Sequence, residues 1–425
     1  MNRLSLTMIL AALSCFVIPA STLAQNKVMG VATCASSNCH GSVSPRTATN
    51  VLQNEYTTWY KHEAHSQAFA VLSNSDSKKI AQHLGIGDPQ SAELCLKCHA
   101  TYVPNASLRG PKFRLKDGVG CESCHGAAEK YLQPHTARTS THAANVKLGM
   151  IDLVSMEERA KVCLECHQGT DNQYVDHRLI GAGHPRLTYE LDTYGVLQPN
   201  HWEIDKDYVA RKAPYNSARA WMAGQVERSS EMLATLLSPK RGKFGAMPEL
   251  SAFYCYNCHH SLKEDQWKSR SYGGHPGELH LNRSSLVMVA QGLEALDAGL
   301  AKEYQGVLAG LHKAYSSGQG EGSLRQLKSL LDGKISSLVN SASFKESVAS
   351  QLLRQLAGYC SDTAFPPYEV AEQCAMGFSA LSAAIDPSGK KFQSKIDAVY
   401  DTLKDEEGFN PGAFTTAAKA MRGAL

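Results

Sequence analysis

Past its first two dozen residues, this 425-residue chain has no apolar run approaching the roughly 20 residues a membrane helix needs. A helical integral membrane protein is therefore excluded for the rest of the sequence. Charge of one sign is also lacking. Lys and Arg number 43 against 40 Asp and Glu, for a formal net charge of +3. That excess is too small to mark nucleic acid or an anionic membrane as a partner. The third lack is regular apolar periodicity across the first half. Residues 25 to 282 are rich in Gly, Pro, Asn and Ser between short helical pieces, too little to build a conventional core. A large apolar group in the middle would supply what the side chains do not.

The start of the chain has the form of a secretory signal. Arg3 is the charged start, Met8 to Ile18 the apolar stretch, and Thr22-Leu23-Ala24 a small-residue cleavage site before Gln25. Residues 1–24 are expected to be removed on export, which would leave a soluble protein in the periplasm.

Cysteine is abundant. Of 13, Cys15 falls in the leader, and ten of the other twelve form pairs, each followed directly by histidine. Four have the form Cys-x-x-Cys-His: Cys95/Cys98/His99, Cys121/Cys124/His125, Cys163/Cys166/His167 and Cys255/Cys258/His259. Two thiols at this spacing add across the two vinyl groups of one porphyrin, and the next histidine ligates the iron. The fifth, Cys34-Ala-Ser-Ser-Asn-Cys39-His40, has four residues between its cysteines, a longer loop that still reaches both vinyls. Zinc binding does not require a histidine after every second cysteine, and a thioredoxin-like site would need a βαβ setting that is missing. The expectation is five covalently bound haem c groups. Ten propionates and five ferric centres would bring the mature holoprotein to roughly −3, so charge says little about partners.

From Arg283 onward the texture changes. Leu286, Val289, Leu293, Leu296 and Leu300 follow helical spacing, as do Leu327, Leu330, Leu331, Ile335 and Leu338, and then Phe344, Val348, Leu352 and Leu356. Further helices are expected at Tyr368–Ala384 and Lys391–Leu403, and an earlier one at Tyr215–Leu237. Cys360 and Cys374 flank Pro366-Pro367, and in an oxidising compartment a disulfide is expected there. The fold class is mainly α with few strands: a signal peptide (1–24), a multihaem cytochrome domain (25–282) and a helical C-terminal domain (283–425).

The segment Gly118-Val119-Gly120-Cys121-Glu122-Ser123-Cys124-His125-Gly126 resembles the cytochrome c-554 family of tetrahaem electron carriers. Trp59 and Glu63-Ala64-His65-Ser66-Gln67-Ala68-Phe69 are similar to that family's Trp…Ala-His-x-x-Ala element, and the resemblance runs from about residue 34 to 170. It implies His65 as distal ligand of the haem at Cys121/Cys124 and His135 as that of the haem at Cys34/Cys39. It also implies a five-coordinate haem at Cys95/Cys98, unless His83 closes it. The chain departs from the family in its longer first motif, its fifth motif and its last ~145 residues. For the Cys163/Cys166 haem, His184 in a Gly-rich, Pro-stiffened loop is the expected distal ligand. His177, His201, His260, His275 and His280 compete for the fifth haem.

The expected function is electron transfer between periplasmic or membrane-bound redox proteins. The alternative is a multihaem oxidoreductase acting on a small nitrogen or sulfur species at an open Cys95/Cys98 haem. Arg109, Lys112 and Arg114 would then lie near that iron and attract an anion. The Cys-x-x-Cys-Lys motif typical of pentahaem nitrite reductases is missing.

Overall fold

The computed structural model describes residues 26–47, 51–244, 247–259, 280–316, 320–362 and 367–425. The leader lies outside these residues, as do His260 and His275. The fold is mainly α. Its only regular strands among the described residues are Lys243–Phe244 and Met247–Pro248, paired antiparallel.

Helices in the first part are short, and each is delimited by local chemistry. Asn74 caps Ser75–Leu84 by accepting from Ser77 N, and Gly85 ends it with φ 67°. Ser155 caps Met156–His167 in the same way, accepting from Glu158 N. Before that helix, the buried side chains form one small cluster, Leu72, Leu96 and Ala100. A segment that carries three of the five motifs thus has almost no apolar core of its own.

The remainder is built differently. Ser217–Leu237, capped by Asn216, is 21 residues long. It packs against Met156–His167, Ser284–Leu296, Glu321–Leu330 and Tyr368–Ile385. Trp221 is fully buried at the centre. A side chain at Gly377 would collide with it, since a Cβ there would sit 2.6 Å from Leu356 Cδ2 and 2.9 Å from Trp221 Nε1. The periodic positions do face inward: Leu286, Val289, Leu293, Leu327, Leu331, Ile335, Leu352 and Leu356 are all buried.

Two details differ from the sequence expectations. The stripe from Leu286 to Leu300 lies on two helices, Ser284–Leu296 and Ala298–Ser316. They break at Asp297, whose carboxylate accepts from Leu300 N at 2.9 Å and starts the second helix. In addition, one continuous hydrophobic core runs from Met156 to Met421. Packing therefore does not divide at residue 283, and the fourth motif sits on a helix that belongs to this core.

Cys360 and Cys374 form a disulfide joining Glu346–Asp362 to Tyr368–Ile385. The bond closes a loop of about 15 residues, for which the entropic contribution is about 3 kcal/mol. The Cys360→Ala/Cys374→Ala double variant is expected to lose about 2–4 kcal/mol in guanidinium unfolding followed by far-ultraviolet circular dichroism. A loss below about 1 kcal/mol would show that the surrounding helix packing makes the bond redundant.

Candidate metal centres

Three of the four regular motifs occupy the last turn of a helix that ends at their histidine: Glu93–His99, Cys121–His125 and Met156–His167. Cysteines at i and i+3 and histidine at i+4 share one face of such a turn, so both thiols and the imidazole are presented to one side. The longer first motif closes in its own way. His40 N donates to Cys34 O at 3.1 Å, while the extra residues loop out and Cys39 N and Gly41 N both donate to Ser36 O at 2.9 Å. Gly41 is required there, because a Cβ would run into Ala35 O. None of the ten motif cysteines is disulfide-bonded.

The fifth motif is built on a shorter turn than the other regular motifs. Its helical part is only the 3₁₀ turn Cys255–Asn257, and Cys258 falls outside it as the C-cap, with φ −119°. Cys258 is also exposed, as is Cys255, whereas the six thiols of the other Cys-x-x-Cys-His motifs are half-buried. Cys258 N donates to Cys255 O at 3.2 Å and His259 N to the same oxygen at 2.9 Å, so the turn closes through His259.

Each motif histidine faces one further imidazole. Ring centroids are 6.3 Å apart for His40 and His135, 6.4 Å for His99 and His184, and 6.2 Å for His125 and His201. They are 6.1 Å apart for His167 and His65, and 6.2 Å for His259 and His177. Direct stacking would bring such rings closer. A metal held between two imidazole nitrogens at about 2.0 Å, with about 1.15 Å from nitrogen to centroid in each ring, requires about 6.3 Å. The residues present therefore fit an iron coordinated on both sides.

Hydrogen bonds at Nδ1 orient several of these rings and leave Nε2 for the metal. His40 Nδ1 lies 2.9 Å from a Glu55 carboxylate oxygen and His65 Nδ1 lies 2.6 Å from Glu63. His99, His135 and His184 instead face the backbone carbonyls of Ala68, Tyr131 and Pro185 at 3.0, 3.1 and 2.7 Å. Burial pushes the pKa of His125 and of His167 down to about 4, with His201 and His65 the next contributors. Burial lowers His99 as well. A neutral imidazole is the form that binds iron. At His40 the Glu55 hydrogen bond pulls the other way and raises the pKa.

The pairing differs from the sequence expectation in three places. His65 faces His167 rather than His125, although its backbone does abut the third motif: Val119 N donates to His65 O at 3.0 Å. The Glu63 bond turns the ring toward the fourth motif. His184 faces His99 rather than His167, so the Cys95/Cys98 site has a second imidazole and is not left open. His83 is not that second imidazole; its Nδ1 lies 2.9 Å from Ala182 O. His201, considered only for the fifth haem, faces His125. His177, one of the five competitors, faces His259. His280 is buried and its carbonyl accepts from Tyr254 N. Arg109 donates to the carbonyls of Val103 and Pro104, and Lys112 to that of Ala32, so these cations serve the chain's own backbone.

Distal ligands escape sequence reasoning because they carry no fixed spacing. One local signal was there to be used at His201: the adjacent Trp202 packs edge-on against it at 5.0 Å, and Arg159 lies over Trp202 and Tyr215. The supporting role of Glu122, inside the third motif, also went unseen. Its buried carboxylate accepts from Met29 N (2.8 Å), Gly30 N (2.7 Å) and Ala128 N (2.8 Å). It thereby ties the segment leading into the first motif to the third.

Residues 33–126 match the family model described as cytochrome c554 and c-prime. The match takes in the first three motifs and under a quarter of the chain. It supports a c-type cytochrome, with covalently bound haem and electron transfer as the class of function. No curated protein and no solved structure matches the chain.

Replacing Glu122 by Ala would strand three buried or half-buried backbone N–H groups, at about 1–3 kcal/mol each. The expected outcome is a holoprotein destabilised by about 3 kcal/mol or more, read as a lowered guanidinium midpoint by Soret absorbance. A change under about 1 kcal/mol would mean that Glu122 does not hold the two motifs together.

Proposed function

We propose that the mature chain is an exported pentahaem cytochrome that passes single electrons between periplasmic or membrane-bound redox proteins. The observation that carries this reading is the set of five imidazole pairs at 6.1–6.4 Å, one for each Cys-His motif. The ligand pairs are His40/His135, His99/His184, His125/His201, His167/His65 and His259/His177. The attachment residues are Cys34/Cys39, Cys95/Cys98, Cys121/Cys124, Cys163/Cys166 and Cys255/Cys258. Haem supplies reversible one-electron chemistry, and ligation by two histidines favours low potentials and leaves no vacant coordination position.

The chain sets the order in which electrons can pass. Cys34 lies beside Cys121, Cys98 beside Cys166, and Cys124 near Cys163. Successive attachment points therefore run first, third, fourth, second motif. The fifth joins beside the second, because His184 N donates to Leu179 O in the turn that carries His177. Arg186, two residues past His184, also acts electrostatically on Cys255. An enzyme working at an open iron needs a haem with one histidine, and His184 opposite His99 speaks against the only site the family resemblance offered. Among the described residues no helix is long and apolar enough to cross a membrane.

Denaturing mass spectrometry is expected to find five covalent haems, and low-temperature electron paramagnetic resonance of the oxidised protein only low-spin ferric signals. His201→Ala and His65→Ala should each convert one haem to high spin, at the third and fourth motifs respectively. A high-spin signal in the unmodified protein together with nitric oxide binding and turnover of nitrite, hydroxylamine or sulfite would replace the carrier reading by the enzymatic one.

A further inference from the structure

Hydrogen bonds to the outer nitrogens of the ligand imidazoles divide into two kinds. At three rings, His99, His135 and His184, the acceptor is a neutral backbone carbonyl. At two, His40 and His65, it is a carboxylate. The carboxylates belong to different haem sites: His40 to the first motif, and His65 opposite the histidine of the fourth. His201 contrasts with both, since its Nδ1 is buried with no hydrogen-bond partner.

A carboxylate that accepts the Nδ1 proton draws it partly away and leaves the imidazole with more negative character at Nε2. Such a ligand stabilises ferric iron more than ferrous iron and lowers the reduction potential. Both carboxylates are built into position. Glu55 opens the Glu55–His62 helix, and its other oxygen accepts from Gln53 N at 3.1 Å. Glu63 is buried, with 7% exposure, where a carboxylate acts strongly because little water screens it. Its Oε1 receives both His65 and Gln198 Nε2, the latter at 2.8 Å.

We propose that Glu55 and Glu63 are potential-setting residues, making the haems at Cys34/Cys39 and Cys163/Cys166 the low-potential pair of the five. The proposal rests on the ligand reading above. It assigns distinct tasks to haems that the sequence motifs make look alike. Low-potential sites at the first and fourth positions alternate with higher-potential sites along the order first, third, fourth, second, so electrons cross the chain over alternating steps rather than a smooth slope.

The test is a redox titration of the holoprotein followed by electron paramagnetic resonance, comparing the unmodified chain with Glu55→Gln, Glu63→Gln and Gln198→Leu. The two haems are separable by their signals. The His40 and His135 planes lie at 10° and those of His65 and His167 at 73°. Aligned ligand planes split the iron d orbitals that meet the ring π systems, and crossed planes leave them nearly equal. Each Glu→Gln variant should raise one haem's potential, shifting its oxidised-to-reduced ratio about tenfold at a given applied potential, about 59 mV for a one-electron couple. Gln198→Leu removes the competing donor on Glu63 and should move the fourth haem the opposite way, which a merely structural role would not do. If the His65→Ala variant becomes high-spin but the Glu variants leave every potential in place, this proposal falls and the ligand reading stands. If His65→Ala stays fully low-spin, the ligand reading fails first and takes the proposal with it.

Discussion

Everything in the first half of the molecule depends on holding two imidazoles, far apart in sequence, at the separation that one iron allows. The tolerance is narrow, because metal–nitrogen bonds vary by only about 0.2 Å. Side-chain packing alone would be a poor means of reaching it here, since residues before Met156 contribute a buried cluster of just Leu72, Leu96 and Ala100. Backbone hydrogen bonding by buried polar groups takes over that work. Glu122 gathers three N–H groups from two segments, Trp59 Nε1 donates to Val119 O at 3.1 Å, and Val119 N donates to His65 O. With the cofactor as core, polar contacts of this kind define where each ring points.

The helical remainder obeys the opposite logic. Trp221, Phe378, Leu286 and Leu352 are fully or almost fully buried in a close-packed apolar interior, glycines at 292 and 377 let helices approach Trp221 and Met222, and a disulfide joins two of the helices. The two constructions share the Met156–His167 helix. Met156, Ala160 and Leu164 face the apolar core, and Cys163, Cys166 and His167 line the fourth haem site. Arg186 makes a second junction, paired with Glu372 at 2.8 Å and Glu406 at 2.9 Å two residues beyond His184. The bundle thus braces the loop that carries a distal histidine.

Features set by neighbouring residues were legible in the sequence, and features set by the fold were not. The five attachment motifs and their histidines are local, and so are the helical stripes and the Cys360–Cys374 pair. The distal histidines are not local. His135 stands opposite His40, while His65 and His184 stand opposite partners other than the expected ones, because nothing near a histidine in sequence says which way its ring will turn. At His65 the deciding group is Glu63, two residues away, and a carboxylate at that distance has no periodicity to reveal it. The break at Asp297 was missed for a similar reason, since a capping side chain interrupts a stripe without disturbing its spacing.

Chain order gives the ring pairs an unequal history. A polypeptide emerges from its N-terminus, so His65 and His177 appear before the motifs they face, whereas His135, His184 and His201 appear after theirs. On the ligand pairs proposed above, haems joined at the fourth and fifth motifs would meet a waiting second imidazole. Those joined at the first three would spend an interval with one face of the iron bare, exposed to oxygen and to any stray ligand. On those pairs, biogenesis of this molecule would have a vulnerable stage confined to its first three haems, closing only when the segment ending at His201 has been delivered.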